Sequence, residues 1–462
     1  MYLCSLTRQQ NEPPINHPDR RNAPIWRFPT QRTFSQVGFL NPPVTHPSTI
    51  SSAFPRPLRR MLHNRSRFRG ALAYFCSMAA QHQHYVPKLL LRGFLSGDPK
   101  LASKEQVHVL DLETESSFPT SIANIMGERR FNDFWIDEDV LATIEPWTSQ
   151  VESHLAPIIE RIRDEKTLER TREEHANLAF LIAFQFIRTK GIRLMPERID
   201  AQLRRHIERM GLDPARVDGL MNLDEEGLKK EHIRHQIENL EKYVEIIAEK
   251  EFFLMTPPPG RSFYIGDHPV VLHNDEPRTV HTGHLGIGAA YIQIYLPLSS
   301  EVLLCAYDKA VLGQMLKAAD ENRNKEVAGY ALSKLMAGQI SAAQMKQAVD
   351  AARDLDPVTA MVRAIRAGQP VAIGPEQVQC YNSLQAFFAH RFVIDPDNSF
   401  AVARDMIAER KSAAQREQGI EPEGQATSYS TKTDRPQPSK TSSIRPEALR
   451  SDRQARQQAK DQ

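Results

Sequence analysis

The sequence predicts an α+β fold in which long helices pack on a mainly antiparallel sheet, with disordered N- and C-terminal segments at either end. Three observations carry this expectation. Apolar residues recur at three- and four-residue steps between 141 and 247, the period of helices; after 251 they fall in short runs cut by Pro and Gly, the mark of strands; both chain ends lose this patterning. A content of 40% hydrophobic and 25% charged residues suits a globular protein, and no stretch is apolar over the length a membrane helix needs.

Residues 1–77 hold ten prolines and eleven arginines against two acids, Glu12 and Asp19. Such a segment cannot bury enough apolar surface to offset its ordering entropy. It reads as a disordered extension, either a leader or the product of a start placed upstream of Met78. Without it the chain carries 48 bases and 55 acids, a net −7, which argues against a broad nucleic-acid surface. A single α+β domain is expected over 78–408, with a helical insertion near 309–366, followed by a disordered polar tail over 409–462.

The folded part opens on Gln81-His82-Gln83-His84-Tyr85-Val86-Pro87 and the aliphatic run Lys88 to Leu91. Pro87 pushes Val86 toward extended geometry, so His84 to Val86 should form an arm before a helical turn starts at Lys88. Alternation puts His82 and His84 on one face. Those imidazoles suit a metal or a general base, and equally a ring that hydrogen-bonds main chain to fix the arm.

His84-Tyr85-Val86-Pro87 with Arg92-Gly93-Phe94 resembles the opening signature of the family called domain of unknown function 4238. Further pieces follow in that family's order: Glu128 to Trp135, the helix with Glu145 and Glu152, Gln185-Phe186-Ile187-Arg188, Asp267-His268-Pro269, Leu296-Pro297-Leu298-Ser299 and Asn382. One departure is Gly266, where a small hydroxyl residue is usual. The resemblance implies no activity.

Beyond the arm, Val107 to Leu112 alternates as a strand, Ser117 to Asn124 reads as a loop, and Phe131 to Ile136 as an aromatic anchor. A helical stripe runs from Leu141 through Ile144, Thr148, Val151, Leu155, Ile158 and Ile162, flanked by Glu145 and Glu152. Thr171 caps the next helix, apolar nearly all round from Ala176 to Ile187 and carrying Asn177, Gln185 and Arg188. Ile233 to Ile247 marks a third. Phe252 to Met255 and Ser262 to Ile265 are expected to form a hairpin around Pro257-Pro258-Pro259-Gly260. Val270 to Leu272, Tyr291 to Tyr295 and Val302 to Ala306 are further strands, and the last two are expected to pair. A helix opens at Tyr381, and a strand follows at Arg391 to Ile394.

The candidate centre joins these pieces. As catalytic residues the sequence offers His84, Gln185, Arg188 and Asp267, and as ligands of a divalent metal His84, Glu145, Glu152 and Asp267. A guanidinium with carboxylates and an imidazole suits a hydrolase of metal-dependent phosphodiesterase or nuclease type. The alternative is a non-catalytic binding or regulatory module in which the same residues form a buried structural network. Asp267 itself reads either as a displayed carboxylate or as the cap of its turn. Phosphate-loop, dinucleotide, HExxH, CxxC and GxSxG patterns are absent. His281 and His284 lack acidic or thiol neighbours and read as loop residues. Cys305 and Cys380 sit far apart among apolar residues and read as buried thiols in a cytoplasmic protein without a membrane partner.

Overall fold

A computed structural model describes residues 81–417, apart from 138–139, 218–219, 221–222, 275–284, 324–326 and 355. The chain enters through β1 (His82–His84), α1 (Lys88–Leu91), a 3-10 turn (Arg92–Phe94) and α2 (Pro99–Ala102). Strands β2 (Gln106–Asp111), β3 (Ser117–Ser121), β4 (Gly127–Arg129), β5 (Asp133–Asp137) and β6 (Val140–Thr143) follow. Then come helices α3 (Glu145–Glu165), α4 (Arg172–Ile187), α5 (Lys190–Arg193), α6 (Met195–Arg209) and α7 (Glu225–Ala248). Strands β7 (Glu251–Thr256), β8 (Ile265–Gly266), β9 (Val271–His273), β10 (Gln293–Ser299) and β11 (Val302–Tyr307) lead to α8 (Lys309–Arg323), α9 (Gly329–Met336), α10 (Ala342–Asp354) and α11 (Pro357–Arg366). The described part closes with β12 (Val371–Ala372), α12 (Pro375–Phe388), β13 (Phe392–Ile394) and α13 (Ala401–Glu417).

The main sheet has the order β12-β7-β11-β10-β9, antiparallel except where β12 joins β7. Its side chains alternate between two cores. Phe252, Leu254, Leu272, Ile294, Leu296 and Leu304 face the helical side with α3, α4 and α7. Phe253, Met255, Val271, Tyr295, Leu303 and Cys305 face the other, against Val311, Ile365, Val378 and Tyr381. Burial on both faces explains why these strands read as continuous apolar runs. The segment near 309–366, expected as an insertion, therefore supplies through α8 and α11 part of the second covering layer.

Strand pairing changes three expectations, the first two through a second sheet of order β3-β2-β13-β8 and the third through the separate pair β5-β6. Ser117 to Ser121 is a strand, not a loop: Val107 to Leu110 needs a partner, and Pro119 is tolerated because β3 is an edge. The expected hairpin of 252–255 with 262–265 does not form. Both sides of β7 are taken by β11 and β12, while β8 pairs with β13. Leu141 lies in β6, and the helix starts at Glu145 with Pro146 in its first turn, where a missing amide hydrogen costs nothing.

Other corrections are smaller. Phe131 is buried as the expected anchor, but Trp135 is exposed. Tyr381 lies within α12, whose first turn is at Pro375. Helix α6 was not anticipated, and α13 runs past residue 409 to Glu417. The expected extension 1–77 and the tail from 418 lie outside the described residues. Among the described residues no helix is long and apolar enough to cross a membrane.

Candidate functional site

Helix α4 ends inside the molecule, and its last polar groups are aimed at the opening arm. Thr171 starts it, its hydroxyl accepting the Glu174 amide at 3.1 Å. Thirteen of its residues are buried, so whatever polar group it carries must find a partner within the protein. Gln185 and the C-cap Arg188 are one turn apart on one side. Gln185 Nε2 donates to the Tyr85 carbonyl at 3.0 Å, and Arg188 Nη2 to the His84 carbonyl at 2.6 Å. Consecutive carbonyls of the arm are thus gripped by consecutive turns of one helix.

Arg188 is 2% exposed. Its Nη1 donates to Glu152 Oε1 at 2.7 Å, and its guanidinium carbon lies 4.6 Å from the centre of the Phe184 ring. Two atoms in this cluster, Gln185 Oε1 and Arg188 Nε, are buried without a hydrogen-bond partner.

The His84 ring turns the other way. Its Nε2 is 3.0 Å from the Ile122 carbonyl, which only accepts, so Nε2 carries the hydrogen. Burial lowers its pKa to about 4 and keeps the ring neutral. Between the two histidines Gln83 points inward, accepting the Asn132 amide at 2.5 Å and donating to Asp133 at 2.7 Å. Asn132 in turn donates to Glu145 Oε2 at 2.7 Å. Burial raises the Glu145 carboxyl above its ordinary range, against the pull of Asn132 and Arg188.

Asp267 makes a separate station. It is 1% exposed, and its carboxylate accepts the amides of His390 at 2.6 Å, Arg391 at 2.9 Å and Phe392 at 3.1 Å. Desolvation outweighs these bonds and raises its pKa to about 6. Its charge and that of Glu128 reinforce burial in raising the Tyr85 phenol, while Glu128 itself is ion-paired to Lys190. The next residue, His268, places Nδ1 2.6 Å from the Thr189 hydroxyl, and burial lowers its pKa to about 4. Through that contact the Asp267 corner abuts the end of α4.

The expected ligands do not assemble into one donor set. His84 engages Ile122, Glu145 engages Asn132 and Thr148, Glu152 engages Arg188, and Asp267 engages three amides. Among the described residues no three His, Cys, Asp or Glu side chains group so as to hold a metal ion. His281 and His284 lie outside the described residues. Cys305 is buried, whereas Cys380, expected to be buried too, is partly exposed.

Sequence reasoning missed a second grip of the same kind. On α12, Asn382 accepts the Tyr264 amide at 2.8 Å and donates to the Ser262 carbonyl at 2.9 Å. One turn on, Gln385 accepts the Gly266 amide and donates to the Pro269 carbonyl, both at 2.9 Å. The approach is close: a Cβ on Gly266 would lie 2.9 Å from the Gln385 carbonyl oxygen, a contact that glycine accommodates. The usable signal was the one-turn spacing of Asn382 and Gln385.

The chain belongs to the family described as Protein of unknown function (DUF4238), whose model matches residues 82–399. No curated protein and no solved structure matches it.

Proposed function

We propose that this protein is a non-catalytic binding or regulatory module whose polar centre is architectural. One observation supports the reading above others: the four side chains with the best claim to chemistry all bond main chain. His84 engages the Ile122 carbonyl, Gln185 the Tyr85 carbonyl, Arg188 the His84 carbonyl, and Asp267 the amides of 390–392. A general base or an anion-binding guanidinium has to present free lone pairs or N–H groups to a substrate. Here those groups tie the arm and the sheet corner to the helices. Among the described residues Cys305 and Cys380 are not joined by a disulfide, which accords with a reducing cytoplasmic setting.

The test is calorimetric. Full-length protein titrated with MnCl2 or ZnCl2 should give no heat that depends on His84 or Asp267, and it should not hydrolyse bis-p-nitrophenyl phosphate. Arg188→Leu should lower stability by about 2–4 kcal/mol, because it leaves the His84 carbonyl and Glu152 without their donor. Metal heat that disappears in His84→Ala and Asp267→Asn, with phosphodiester cleavage lost alongside, would establish the metal-dependent hydrolase instead.

A further inference from the structure

Helix α6 is amphipathic, yet only part of its apolar side is covered. Ile207 and Asp200 face the body and are buried, whereas Met195 is 42%, Leu203 45% and Met210, just past its end, 53% exposed. At about 100° per residue, Met195, Ile199, Leu203 and Met210 form one ridge along the helix. Beside them lies a hollow of about 450 Å³ lined by Ile199, Gln202, Leu203, Arg205, His206 and Arg209. Exposed apolar residues grouped along one face are the kind of surface on which a partner can dock.

The charges beside the ridge have one sign. Arg198, Arg205 and Arg209 fall on the row along its outer edge, while Glu197, Asp200 and Glu208 project from the far side. Arg198 is engaged by His390 and Asp200 by Arg204. Among the described residues no hydrogen bond or ion pair engages Arg205 or Arg209. The outer edge therefore offers two guanidinium groups alongside exposed Met and Leu.

We infer that this face binds an acidic amphipathic helix of a partner protein, its apolar anchors seated along Met195 to Met210 and its carboxylates on Arg205 and Arg209. The inference names the binding face of the module proposed above and rests on that reading. Charge complementarity decides between occupants. A second copy, paired antiparallel across a two-fold axis perpendicular to the helix, would set the arginine row against itself. Residues 1–77, with eleven arginines and two acids, repeat the same charge, and 418–462 carry eight bases against six acids. A lipid surface calls for projecting apolar residues, whereas a hollow receives side chains standing off a helix.

The probe is a fluorescein-labelled synthetic helix of about five turns with Leu at the i, i+3, i+4 and i+7 positions and Glu on the flanks, together with its isomer bearing Lys for Glu. Anisotropy with the full-length protein should show saturable binding of the Glu peptide. Binding should weaken at least about tenfold, ~1.4 kcal/mol, in the Arg205→Glu/Arg209→Glu double variant and in Leu203→Asp. The Lys peptide should bind the double variant better than it binds the native protein, a rescue that a misfolded variant cannot give. Equal binding of both peptides, no binding of either, or binding only to phosphatidylglycerol vesicles would overturn the inference. Peptide failure with no metal heat removes the face and leaves the module reading standing; metal heat lost in His84→Ala removes that reading whatever the peptide does.

Discussion

Helices α4 and α6 are separated by a single short helix, and they solve opposite problems. The first is enclosed by apolar neighbours on every side, so its difficulty is polar: Gln185 Nε2 and Arg188 Nη2 donate to carbonyls of the arm, while Gln185 Oε1 and Arg188 Nε stay unpaired. The second lies on the surface, so its difficulty is apolar: Met195, Leu203 and Met210 stay in contact with solvent. What distinguishes the two is where each leaves an unmet requirement. Inside, polar atoms fix the geometry of the fold; outside, apolar atoms wait for another molecule.

Three measurements would break or sharpen this contrast. The largest effect should come from Phe180→Ala in α4, where a ring 1% exposed and stacked 5.9 Å from Phe184 is removed. A loss of about 3–5 kcal/mol is expected in denaturant melts, and a loss below ~1 kcal/mol would mean that α4 is not the enclosed element described. Acidification should act next. His84 and His268 titrate at about 4 in the folded protein against 6.5 when unfolded, so between pH 6.5 and 4 the unfolded chain binds protons that the folded chain refuses. Their stabilisation, complete above pH 6.5, is lost as pH falls. Asp267, raised from 3.8 to about 6, opposes them from about pH 6 down to 3.8. His232, His235 and His390 are lowered by burial as well, against Asp267 and Glu145 raised by it, so the histidines dominate and Tm falls; His84→Gln should flatten the slope, and an unchanged slope would mean that the ring is not held neutral. The smallest effect belongs to α6: Leu203→Asp should leave stability within about 0.5 kcal/mol, as an uncovered surface position allows. A large destabilisation there would mean that the ridge already packs against this chain.

Much of the fold was legible in residues 141–306. The buried helix announced itself by Ala176 to Ile187 being apolar all round, and the period from Ile233 to Ile247 gave α7 directly. Pairing was harder, because the hairpin around Gly260 depends on which edges of β7 are free, and β12 takes one of them from more than a hundred residues away. Helix α6 did carry a signal, Met195, Ile199, Leu203 and Ile207 at four-residue steps, diluted by the arginines between them. At the candidate site the residues were nameable and their partners were not. Arg188, Gln185 and Asp267 all bond main-chain atoms, which every residue possesses, so no side-chain pattern could point to them.

The double grip on residues 84 and 85 also bears on how the chain is made. The arm emerges from the ribosome before any of the groups that hold it: Gln185 follows Tyr85 by 100 residues and Arg188 follows His84 by 104. At a synthesis rate of about 5–20 residues per second, the carbonyls of 84 and 85 wait roughly 5–20 s for these two donors. Pairing with β4 and the Ile122 contact are made first, so a nascent chain stalled before residue 185 would carry the arm in its strand pair yet without the two grips from α4.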